Sequence, residues 1–141
     1  MKDSKGQVAL EYMLIFAVSM ILLIVFTLPL TENALQNTLD VSDTLDAKSN
    51  LEVISQAIRE VYGQGQGSRQ SVEIVSSKDM KVNVASNYLS CAMVLNDGSL
   101  KFEKVYFTST LKKTDIALKK GENSIVVDWP IGSENMQIYV K

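Results

Sequence analysis

Lys5-Gly6-Gln7-Val8-Ala9-Leu10-Glu11-Tyr12-Met13-Leu14-Ile15-Phe16 opens an apolar run that continues to Leu30. From Val8 to Leu30, 23 residues (30 − 8 + 1), the polar interruptions are Glu11, Ser19 and Thr27 alone. At ~1.5 Å of rise per residue a helix of that length crosses the hydrocarbon core of a bilayer. The short head before it, Met1 to Gly6, carries Lys2 and Lys5 against Asp3. Basic flanks stay on the cytoplasmic side, so the rest of the chain is expected to face outward. One residue stands out: a carboxylate within a membrane-length helix costs roughly 2.5–3.5 kcal/mol when it lies deep, and less near the interface, so Glu11 needs a reason.

Downstream of Pro29 the pattern changes. Leu35, Leu39, Leu45, Leu51, Ile54, Ile58 and Val61 recur mostly near a spacing of 3.6, which predicts an amphipathic stalk helix over 31–62. Thr31 with Glu32 reads as its N-cap and Gly63 as its C-terminal stop. Pro29, which lacks the N–H of a helical residue, is expected to bend or loosen the rod between the apolar and amphipathic parts. Gly63-Gln64-Gly65-Gln66-Gly67-Ser68 reads as a flexible joint.

Beyond the joint, over 69–141, the period drops to two. Val72/Ile74, Val82/Val84, Leu89/Cys91/Met93/Leu95, Leu100/Phe102, Ile125/Val127/Trp129 and Met136/Ile138/Val140 alternate with polar or smaller residues, giving six or seven short strands. Asn96-Asp97-Gly98-Ser99 reads as a hairpin turn, because Asp-Gly accepts positive φ. Lys119 to Asn123 reads as a second turn, and Glu103-Lys104, which interrupts the alternation, as a bulge. The expected fold class is therefore α+β: a long N-terminal helix followed by a small antiparallel β head. Residues 118–130 carry a Gly-x-Asn turn running into an alternating strand, a short resemblance to immunoglobulin-like sandwiches.

Composition narrows the chemistry. The 141 residues include no His and one Cys, so there is no intrachain disulfide, no CxxC pair, and neither the commonest metal ligand nor the commonest general base. No nucleophile–base constellation can be assembled, and we expect neither an enzyme nor a bound cofactor or metal. A formal net charge of −2 gives no basic face for nucleic acid. Segment 31–62 holds six acids against two bases (about −4), and 63–141 ten bases against eight acids (about +2). Those opposite signs favour head-to-stalk contact or are simply solvated surface. Tyr88, Tyr106, Phe107 and Tyr139 read as cross-strand or core packing before they read as an adhesive face, and Cys91 as a buried small hydrophobe.

Basic residue, glycine, glutamine, glutamate and apolar run, at Lys5, Gly6, Gln7, Glu11 and Val8 onward, together resemble the class III signal peptide of type IV pilin-like proteins, in the archaeal adhesion-pilin form. The resemblance covers about the first 26 residues. Ala9 stands where Ser is frequent, and Asp3 dilutes the leader charge. The resemblance implies cleavage by a membrane prepilin peptidase between Gly6 and Gln7, with Lys2 and Lys5 holding residues 1–6 at the cytoplasmic face. Gln7 would become the mature N-terminus and Glu11 the fifth mature residue. It further implies that residues 7–30 serve first as a membrane anchor and then as the core of a helical homopolymer, through a pilus assembly machinery. In that polymer the Glu11 carboxylate meets the Gln7 amine of a neighbour and sets register. The expected localisation is the cytoplasmic membrane for the precursor and a cell-surface filament for the mature chain. A minor pilin, an archaellin-like subunit and a membrane-anchored binding module that never polymerises are the alternatives.

Overall fold

Helix α1 runs from Asp3 to Gln64 without interruption, and seven strands follow it: β1 Arg69–Ser76, β2 Met80–Val84, β3 Tyr88–Val94, β4 Leu100–Tyr106, β5 Thr114–Leu118, β6 Gly121–Asp128 and β7 Gln137–Val140. These assignments come from a computed structural model that describes residues 3–96 and 98–141, and side chains from Gly6 onward. The chain adopts the α+β class expected of it. Two compact units divide at Leu39/Asp40. The second contains the last part of α1 with all seven strands, so the segment read as a stalk contributes to the head from Asp40 on.

Both sheets of the head are antiparallel. One has the order β1-β6-β7 and the other β4-β3-β2-β5. The β2-β3-β4 neighbours follow from short connections, residues 85–87 between β2 and β3 and the expected turn at Leu95 to Ser99 between β3 and β4. There the Gly98 N–H donates to the Leu95 carbonyl (3.0 Å), the Leu95 N–H donates to the Ser99 carbonyl (2.9 Å), and Gly98 has φ +81°. Left-handed backbone of this kind is what glycine supplies at the end of a three-residue hairpin loop. Asp97, part of the expected turn, lies outside the described residues. The turn at Lys119 to Asn123 also forms, but it passes the chain from the four-stranded sheet to the three-stranded one. Buried Asn123 holds it, its Nδ2 donating to the Lys119 carbonyl (2.7 Å) and its Oδ1 accepting from the Lys119 N–H (2.9 Å).

Between the sheets lies a single apolar cluster to which the helix contributes Ala47, Leu51, Ile54, Ala57, Ile58 and Val61. Ile74 of β1, Met80, Val82 and Val84 of β2, Leu89 and Cys91 of β3, Ile116 and Leu118 of β5, Ile125 and Val127 of β6 and Ile138 of β7 join it, with Phe107, Leu111 and Met136 from the connections. Burying a Leu, Ile or Val side chain contributes about 1.5–3 kcal/mol, so the helix face is a principal stabiliser of the head. Four polar ties fix its seating: Asp40 Oδ1 accepts from the Asn96 N–H (3.0 Å), Asp43 pairs with Lys78, Asn50 Nδ2 donates to the Val75 carbonyl (2.9 Å), and Arg59 Nη2 donates to the Tyr106 carbonyl (2.7 Å). Stalk acids thus meet head groups within one chain.

The immunoglobulin-like resemblance is not confirmed. Constant-type immunoglobulin sheets have strands 1-2-5-4 and 3-6-7 in chain order, whereas here β1 joins β6 and β7 while β3 joins β4, β2 and β5. Several local readings are corrected as well. Thr31 is no N-cap, because its hydroxyl donates back to the Thr27 carbonyl (2.8 Å) within an unbroken helix. The helix ends one residue beyond Gly63, and Gly65, with φ +87°, supplies the left-handed turn, its N–H donating to the Val61 carbonyl (3.0 Å). The Gly-rich joint is hydrogen-bonded to its surroundings: the Gly67 N–H donates to the Trp129 carbonyl (2.7 Å) and Ser68 Oγ to the Val61 carbonyl (2.9 Å). Finally, β3 and β4 pair without slippage from Tyr88↔Tyr106 to Val94↔Leu100, so Glu103-Lys104 forms no bulge.

Ile58 is fully buried and Val53 lies on the open side of the same helix at 39% exposure. Ile58→Ala should therefore destabilise the head by about 2–5 kcal/mol and Val53→Ala by no more than about 0.5 kcal/mol. The single Trp129, stacked on Tyr62 at 5.7 Å between ring centroids, reports the transition in urea titrations of the full chain. Equal losses from the two substitutions would contradict this seating of the helix.

Candidate functional site

No side chain from Gly6 to Leu39 is buried by the chain itself. Leu10, Tyr12, Met13 and Leu30 are about 70% exposed, and so in lesser degree are the aliphatic and Phe side chains between them. The 18-residue stretch that qualifies this helix by length and apolarity to cross a membrane contains no buried residue. A helix apolar on every side is stable only when lipid or protein surrounds it. One helix of this chain is thus long and apolar enough to span a membrane, and it is the part of the chain that most needs a surrounding it does not itself provide.

At the entrance to this segment, Gln7 and Glu11 stand one helical turn apart on one side of α1, bordered by Leu10, Leu14 and Ile15. Gly6 precedes them in helix. A Cβ built on Gly6 meets nothing within 4 Å, and its φ is not positive. Neither packing nor backbone geometry inside the chain therefore requires glycine there, although glycine costs a helix interior roughly 0.5–1 kcal/mol relative to alanine. Of the leader charges, Lys2 and the Lys5 side chain lie outside the described residues. The structure thus places Gly6, Gln7 and Glu11 near one another at the N-terminal end of the apolar helix and sets Pro29 far along the same helix.

The head shows what the sequence reading left out. Strand β5 was missing from the alternating pairs, although Ile116 and Leu118 carry its inward face. Leu100 and Phe102, read as half-buried, point outward and are 61% and 63% exposed, with Val94 and Tyr106 beside them at 63% and 64%. The inward face of β4 is instead Glu103 and Val105. The signal for this lay in the hairpin itself: pairing about the Leu95–Ser99 turn places Phe102 opposite Ala92 and Glu103 opposite Cys91. Of the four aromatics, Phe107 is core; Tyr88 and Tyr106 form a cross-strand pair, 6.0 Å apart and tilted by 57°, with Lys104 Nζ 5.5 Å above the Tyr88 ring; Tyr139 is partly exposed.

Among the described residues no group of three His, Cys, Asp or Glu side chains is placed to hold a metal. Comparison with family models, with curated proteins and with solved structures returns no match.

Cys91 is buried, and loss of solvation pushes its thiol above the ordinary value. The nearby Glu103 carboxylate adds to that effect, while a hydrogen bond with the Glu103 backbone works against it. Because the unfolded chain ionises first, stability present below the ordinary thiol value is lost as the pH rises towards the folded one. Alkylation of Cys91 at pH 8 should accordingly be at least tenfold slower in the folded chain than after unfolding in urea. Stoichiometric reaction at the unfolded rate in native protein would show that the thiol is not enclosed.

Proposed function

We propose that this chain is the structural subunit of an extracellular filament of the archaeal adhesion-pilus type. It is inserted in the membrane through residues 7–30, cleaved between Gly6 and Gln7, and polymerised through the same apolar helix. The observation that carries the reading is the uncovered apolar surface from Val8 to Leu30. While it lies in lipid, burial is free of cost. On leaving the bilayer it must be covered by equivalent helices, each buried CH₂ contributing about 0.8 kcal/mol.

The rest of the motif supports the same reading. A glycine with no internal task is explained by an external one, the fit of an extended leader in a peptidase cleft. Cleavage removes the leader's net charge of +1, takes the formal charge from −2 to −3, and creates an amine at Gln7. Glu11 lies four residues on, about 6 Å along a helix axis. A neighbour displaced by that distance sets its new amine beside the carboxylate. Such a pair adds little net stability when buried, but either partner left alone costs about 3–5 kcal/mol, so hydrophobic packing supplies affinity and the ion pair selects register. The reading assigns no catalytic activity to the chain.

Two substitutions separate processing from assembly. Gly6→Val should leave the precursor at full length in the membrane and abolish filaments. Glu11→Leu should still be cleaved after Gly6 yet lower filament yield by well over tenfold, as a buried unpaired amine demands. Immunoblots of membrane and sheared fractions read both. Mature-length Gly6→Val protein, or wild-type filament yield from Glu11→Leu, would count against the proposal.

A further inference from the structure

We propose that the free edge of β4 pairs antiparallel with β4 of a second copy, in a two-fold register centred on Phe102 that joins two heads into one continuous sheet. The inference rests on the head alone and holds whether or not the filament reading does.

Strand β4 is the outer strand of the order β4-β3-β2-β5. Its hydrogen-bonding direction follows from the bonds at its two ends. The Leu95 N–H donates to the Ser99 carbonyl and the Phe107 N–H to the Asn87 carbonyl, each at 2.9 Å. Antiparallel ladders alternate by two, so Lys101, Glu103 and Val105 bond to β3, whereas the N–H and C=O groups of Leu100, Phe102 and Lys104 point away from the sheet. Tyr106 follows the same rule, and its outward carbonyl is already taken by Arg59. Three residues are thus left with main-chain donors and acceptors that a further strand can satisfy. Their side chains share the outer face, where Leu100 and Phe102 add an apolar row continued by Val94. An edge that combines open main chain with exposed apolar side chains templates strand addition.

Charge selects the occupant and its register. Only registers that place outward-bonding residues opposite one another form the ladder. Centring on Phe102 sets Leu100 opposite Lys104 of the second copy and Phe102 opposite Phe102, and on the inner face Lys101 opposite Glu103 twice. It also leaves the Tyr106 carbonyl out of the ladder and with Arg59. Shifting the centre to Glu103 places two glutamates face to face, and directly opposed like charges destabilise a strand pair. Within one chain Lys101 and Glu103 form only a loose pair at 3.7 Å, with half of the lysine side chain still exposed. In the paired sheet each meets a directly opposed partner. The lysines that blunt the edge against arbitrary strands therefore favour this one.

The test uses the full chain in detergent micelles. Opposed residues that do not bond to each other in an antiparallel ladder have Cα atoms about 4.5 Å apart, within reach of a disulfide. In a Cys91→Ala background, a mixture of Lys101→Cys and Glu103→Cys chains should oxidise to a dimer at least tenfold faster than either variant alone. Unmodified chains, half of them isotopically heavy and treated with a carbodiimide, should yield a mixed-label Lys101–Glu103 cross-link. Lys101→Glu should abolish that cross-link, and Lys101→Glu combined with Glu103→Lys should restore it. Mixed-label links absent from the unmodified chain, or Glu103→Cys dimerising with itself as fast as with Lys101→Cys, would overturn the proposal.

Discussion

A single helix meets two surroundings, and the rest of the molecule follows from the difference. From Asp40 to Gln64 one side of α1 is buried in the core of the β head, with Leu51, Ile54, Ile58 and Val61 wholly enclosed. From Gly6 to Leu39 the same helix has no covering within the chain. Covering an apolar rod is a requirement of water, not of any particular fold. The head can satisfy that requirement for its own stretch of helix because two sheets and their turns close around it. The described residues provide no such covering for residues 8–30, which need lipid or protein around them.

Much of this was legible in the sequence. The apolar run announces a membrane-length helix by length alone, and the period-two stretches announce the strands. The Asp97-Gly98 turn can be located because left-handed backbone discriminates so strongly among side chains. What was not legible belonged to tertiary context. Gly63 and Gly65 are equally plausible helix stops on paper, and which of them turns left-handed depends on where Gly67 and Ser68 find their hydrogen-bond partners. The same partners tie a composition that suggests a flexible linker to the end of α1 and to Trp129. Leu100 and Phe102 look inward because apolar residues in alternation usually do. Only the register fixed by the 95–99 turn shows that Glu103 and Val105 take the inner face instead. The apparent bulge at Glu103-Lys104 came from assigning the wrong side of β4 to the core.

Two of the stretches of exposed apolar surface make different demands. Along α1 it is continuous and all round, which suits a surrounding of lipid or protein. On β4 it forms one row beside open main-chain groups and charges of both signs, which suits a partner met in a single orientation. Gly6 belongs to neither pattern. It stands in open space, in ordinary helical geometry, at some cost to the helix, and so points to a requirement outside the folded chain.

The central claim is that the apolar helix, freed of its leader, leaves lipid for a polymer of identical helices. Intact-mass measurement of material sheared from the cell surface tests it most directly. The account predicts filaments composed of a chain that begins at Gln7 and retains everything after it. Surface filaments that still carry Met1 to Gly6, or a mature chain recovered only as a detergent-soluble monomer, would contradict it.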